Sequence, residues 1–85
     1  MRQLLEGGVE MSGPSIRVVR DFYAVRVTID DLVHVWLPTA DLIGVHSWLK
    51  PKPSIEYILR GGSMVTEYDS REKWELVLCG LEGIL

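Results

Sequence analysis

Hydrophobic and polar positions alternate through most of the middle of this chain and then change period near its end. From Phe22 to Ile29 the side chains alternate, with Tyr23, Val25, Val27 and Ile29 on one side and Phe22, Ala24, Arg26 and Thr28 on the other. After Asp30-Asp31 the alternation resumes from Leu32 to Leu37. Period-two alternation of β-branched and aromatic residues predicts strands, and the short acidic link predicts a hairpin. Pro38-Thr39-Ala40-Asp41 reads as a loop or a single helical turn, because proline removes a ladder donor and Thr39 and Asp41 bond readily to nearby backbone. Leu42 to Leu49 is the next expected strand, and Lys50-Pro51-Lys52-Pro53 forces an extended connection onto the following one.

Ser54 to Arg60 and Met64 to Tyr68 are two further strands, separated by Gly61-Gly62-Ser63, whose glycines suit a tight hairpin. Beyond Tyr68 the period becomes about 3.6. Trp74, Val77, Leu78 and Leu81 fall on one stripe, with Arg71, Glu72, Glu75 and Glu82 away from it. That pattern predicts an amphipathic helix with Asp69 or Ser70 as its N-cap and Gly80 or Gly83 at its end. Ser15 to Arg20 is a further strand or an edge. The expected fold is therefore α+β: a meander-like antiparallel sheet of about four to six strands, with one C-terminal helix packed on one face.

Residues 1–14 show no period and read as a flexible arm or edge segment, leaving 15–85 as a single domain. Met11 offers an alternative start, since Glu6-Gly7-Gly8 upstream matches what a purine-rich bacterial ribosome-binding site would encode. A chain of 85 residues buries roughly 60 to 65% of its unfolded surface, enough for one core. It has no apolar run of membrane-spanning length and no signal-peptide pattern, so the expectation is a cytoplasmic protein without a membrane partner. Cys79 stands alone and cannot form an intrachain disulfide.

Net charge of −3 and a pI near 5.2 argue against a nucleic-acid partner held by phosphate contacts. His34 and His46 are the only histidines, and no cysteine or carboxylate set stands at metal-ligand spacing beside them. Asp30, Asp31 and Asp41 sit at turns, where acids are expected for backbone bonding alone. Gly61-Gly62-Ser63 lacks the lysine and the helix of a phosphate loop. No catalytic, metal or cofactor-binding residue is assigned.

What remains is the unlike character of the two sides of the sheet. One side collects Tyr23, Val25, Val27, Ile29, Val33, Val35, Leu37, Ile43, Val45 and Leu49 and is expected to form the core under the helix. The other collects Phe22, Arg26, Thr28, Leu32, His34, Trp36, Leu42, His46 and Trp48. A face so rich in aromatic groups marks a contact surface, with Phe22, Arg26, His34, Trp36, His46 and Trp48 as its candidate residues. The leading expectation is a small non-enzymatic interaction or oligomerisation module whose partner is itself or another protein. Two other classes stay open: a small-ligand or single-strand binder stacking on Trp36 and Trp48, and a minor enzyme using His34 or His46.

Overall fold

The computed structural model describes residues 14–85; the expectations for residues 1–13, including the arm and the alternative start, lie outside them. Strands β1 (Ile16–Arg20), β2 (Ala24–Ile29) and β3 (Leu32–Pro38) form one antiparallel sheet in the order β1-β2-β3. A single 3-10 turn, Thr39–Asp41, leads into β4 (Leu42–Trp48), β5 (Ser54–Leu59) and β6 (Gly62–Glu67), a second antiparallel sheet in the order β4-β5-β6. Helix α1 (Arg71–Ile84) closes the chain. The α+β class and the C-terminal helix are as the pattern predicts, and the strands are divided into two meanders.

Both turns that define the meanders follow from local chemistry. Asp30 and Asp31 adopt φ of 52° and 68°, the left-handed pair that a two-residue hairpin of right-handed twist demands and that aspartate tolerates. Asp30 also accepts the Ser15 amide at 3.1 Å, tying β1 to the turn. In the second meander Arg60-Gly61 is the two-residue link, with Leu59 opposite Gly62.

One core lies between the sheets and the helix. Val25, Val27, Val35 and Leu37 enter it from the first sheet, Ile55 and Tyr57 from the second, and Val77 and Leu81 from α1, with Tyr68 at the junction. Trp74 and Leu78 pack against this cluster, so the predicted helix stripe is the buried one. Ser70 is the N-cap, accepting the Lys73 amide at 3.2 Å. Trp74 Nε1 donates to the Ser54 carbonyl at 2.9 Å and pins the first turn of the helix to β5. At the other end Arg20 Nη1 donates to the Ile84 carbonyl at 3.1 Å, a cation at the negative end of the helix dipole.

Neither Gly80 nor Gly83 ends the helix, which runs through both to Ile84. Gly80 instead marks a close approach. A Cβ there would sit 2.5 Å from Val18 Cγ2, so the helix backbone lies directly on β1. Tyr57 is fully buried, and its hydroxyl, beside Tyr68, finds no hydrogen-bond partner among the described residues. Burial, reinforced by the Tyr68 hydroxyl, raises the Tyr57 phenol far above its ordinary pKa and keeps it neutral.

Two bulges revise the expected core. Between β2 and β3 the pairing shifts at Val27/Thr28, where Val35 opposes Val27 and Val33 opposes Thr28, leaving His34 as the extra residue. Val33 is turned outward and is 64% exposed. Between β4 and β5 the shift falls at Ile43, so Leu42 packs on the core and Ile43 is 65% exposed. One inserted residue reverses the face of every residue on its far side, which simple alternation cannot anticipate. Tyr23, also expected inside, precedes β2 and is 77% exposed.

Candidate functional site

The outward surface of the first sheet is built from two cross-strand rows. Val19, Arg26 and Trp36 stand opposite one another across β1, β2 and β3, and Arg17, Thr28 and Val33 form the next row. Directly opposed residues of antiparallel strands share a face, so these side chains meet. Trp36 is 57% exposed at the edge strand.

The β1–β2 turn extends this surface, and Asp21 shapes it. Its Oδ1 accepts the amides of Tyr23 and Ala24, both at 2.8 Å, and its Oδ2 pairs with Arg26 Nη2 at 2.8 Å. The Ala24 and Tyr23 amides, with a smaller contribution from Arg26, hold this carboxyl below the ordinary aspartate range. Thr39 locks the turn from the other side: its amide donates to the Tyr23 carbonyl at 2.9 Å and its hydroxyl to the Asp21 carbonyl at 2.8 Å. With the backbone so fixed, Phe22 and Tyr23 project outward, 86% and 77% exposed, their rings edge to face at 5.2 Å. Asp21 was not among the residues singled out from sequence. An aspartate two and three residues before free amides at a strand start is the Asx-turn signal that points to it.

The structure divides the six candidate residues. Phe22, Arg26 and Trp36 belong to the first sheet and its turn. His46 and Trp48 lie on the outward side of the second sheet, their rings 5.4 Å apart, with His46 Nδ1 3.6 Å from the Glu56 carboxylate directly opposite. Because both sheets turn their inner sides to the same core, these outward sides face away from each other. Trp36 and Trp48 therefore form no common stacking platform, and His34 and His46 no common centre.

His34, the bulge residue, points to a third place. Its ring meets Tyr68 at 5.3 Å, edge on, in an open cleft of about 530 Å3 between the β2–β3 hairpin and the β6–α1 junction. Asp30, Glu67, Asp69 and Lys73 also line this cleft, with Lys73 held by Asp69 at 3.3 Å. Desolvation, and then the Lys73 charge, lower the His34 pKa below 6.5. The three carboxylates do not offset these two effects. The neutral imidazole is thus the form favoured by folding, and this contribution to stability is present above about pH 6.5 and lost as pH falls through the lowered value. His34→Gln is expected to flatten the acid side of the stability curve: between pH 7.5 and 5 its melting temperature should fall less than that of the parent protein. Parallel curves would remove His34 as the source.

Among the described residues no group of three or more His, Cys, Asp or Glu is placed to hold a metal ion, and no helix is long and apolar enough to cross a membrane. Cys79 lies exposed on the helix. Compared with protein families, curated proteins and solved structures, the chain shows no match, so the surface chemistry alone carries the functional reading.

Proposed function

We propose that this chain is a small non-enzymatic protein-interaction module whose contact surface is the outward side of the first sheet, continued by the β1–β2 turn. The observation that carries this reading is the exposure of Phe22, Tyr23 and Trp36 around Arg26, on a backbone that Asp21 and Thr39 hold rigid. Water-exposed aromatic rings on a fixed support lose little conformational freedom on binding and contribute large apolar area. Arg17 and Arg26 stand among them, with Asp21 as the near acid, in a chain of net charge −3. The partner that fits is a protein segment with apolar side chains flanked by carboxylates.

Selection from a random peptide library against the full chain tests this. Acidic peptides with aromatic or aliphatic anchors should be enriched, and titrating one should move the amide resonances of Val19, Phe22, Arg26 and Trp36. Phe22→Ser combined with Trp36→Ser should weaken binding at least about 30-fold, the equivalent of about 2 kcal/mol for a hot spot, with the circular dichroism spectrum unchanged. Enrichment of peptides that perturb only the second sheet would overturn the assignment.

A further inference from the structure

Each sheet of three strands has two edges, and proteins protect such edges from pairing with other chains. Three of the four are protected here. β1 carries two charged side chains, Arg17 and Arg20, and α1 packs on its inner side at Val18 with Arg20 bonded to the helix end. β3 is broken by the bulge at His34 and ends in Pro38, and β4 is broken by the bulge at Ile43. β6 has neither device. It pairs with β5 residue for residue from Gly62 to Glu67 without a shift, and its sequence, Gly-Ser-Met-Val-Thr-Glu, holds no proline, lysine or arginine. Among the described residues β5 is the one element with substantial contact along it.

The register shows which backbone groups β6 leaves free. In a two-residue hairpin the residues flanking the link are a hydrogen-bonded pair, so Leu59/Gly62, Tyr57/Met64 and Ile55/Thr66 are bonded. The Tyr68 amide donating to Pro53 at 2.9 Å continues the same phase. Ser63, Val65 and Glu67 consequently turn their N–H and C=O groups away from β5, and all three residues are exposed.

We propose that β6 is a self-association edge, at which two copies of the chain pair β6 antiparallel about a two-fold axis through Val65. Their second sheets then join into one continuous sheet. The complementarity of the strand to itself selects this occupant. With Val65 opposite the partner's Val65, Ser63 faces the partner's Glu67 and Glu67 faces the partner's Ser63. The free backbone groups meet as three bonded pairs, about six hydrogen bonds in all, and each carboxylate faces a hydroxyl donor. Centring the pair on Glu67 would set two carboxylates together. The chosen register also carries the partner's Arg60 toward the Asp69 end of the strand. This edge belongs to the second sheet and is independent of the aromatic surface of the first.

The test is sedimentation of the full chain over a range of concentrations, with amide hydrogen exchange followed residue by residue. The expected result is a dimer that dissociates on dilution, with Ser63, Val65 and Glu67 amides protected in the dimer and exposed in the monomer. Met64 and Thr66 should stay protected in both. Val65→Pro should give a folded monomer, because the Val65 amide takes no part in the β5–β6 ladder; Val65→Lys, which keeps that amide, should also weaken the dimer if the proline variant fails to fold. The proposal falls if the protein stays monomeric at millimolar concentration, or if a dimer forms without protecting these amides. It falls equally if the three amides are protected in the monomer, which would mean that the chain's own residues cover the edge.

Discussion

Replacing Trp74 by alanine is expected to lower stability by about 3 kcal/mol or more, the range found for large aromatic truncations in cores. The ring packs against the core cluster that includes Ile55, Tyr57, Val77 and Leu81, and its Nε1 donates to Ser54 O. Both contacts act on the first helical turn, where Ser70 caps the helix. Since domains of this kind hold about 5 to 15 kcal/mol in total, a parent at the low end would keep about 2 kcal/mol or less, and the variant would be measurably unfolded without denaturant. Trp74→Phe separates the two contributions. It keeps much of the packing and loses the bond, and should cost about 1 kcal/mol for the bond plus a smaller packing loss. Urea denaturation of the three proteins measures this, and a Trp74→Ala midpoint equal to the parent's would mean that the helix is held by its second half alone.

The helix and hairpins were legible because their signals are local. Trp74, Val77, Leu78 and Leu81 recur at helical spacing, Ser70 caps within three residues, and Asp30-Asp31 specifies its turn by backbone preference alone. The division into two sheets was not legible, because whether β3 pairs with β4 is decided by the 3-10 turn between them and by which edges the core brings together. The aromatic surface was half legible. Arg26 and Trp36 share a face because they lie on the same side of the first bulge, so alternation holds between them. His34 and Val33 lie at and beyond that bulge, and Leu42 lies before the second one, so the same rule misplaces all three. A bulge is set by how the paired strand twists over the core, and neither His34 nor Ile43 carries a residue preference that announces it. His46 and Trp48 share a face with each other as expected, yet on a different sheet. Here a correct local period was joined across a break in the sheet that period cannot detect.

The two helix glycines offer the sharpest contrast, because sequence treats them alike and the packing does not. Alanine is favoured over glycine in a helix by up to about 1 kcal/mol, so on propensity alone both substitutions should stabilise α1. At Gly83 nothing lies within 4 Å of the added methyl, and Gly83→Ala should gain a few tenths to about 1 kcal/mol, less for its position in the last turn. At Gly80 the methyl would stand 2.5 Å from Val18 Cγ2 and 2.8 Å from Val18 Cβ. A rotamer change of Val18 can move the first atom, but the second is fixed to the β1 backbone. The helix must therefore lift from the strand, which loosens Leu81 and Val77 in the core and strains the Arg20 bond to Ile84. Overpacking of this kind costs about 1 to 3 kcal/mol and outweighs the propensity gain. Gly80→Ala should thus lower the melting temperature by several degrees while Gly83→Ala leaves it unchanged or raises it. Two shifts of the same sign would show that α1 does not rest on β1 at Val18.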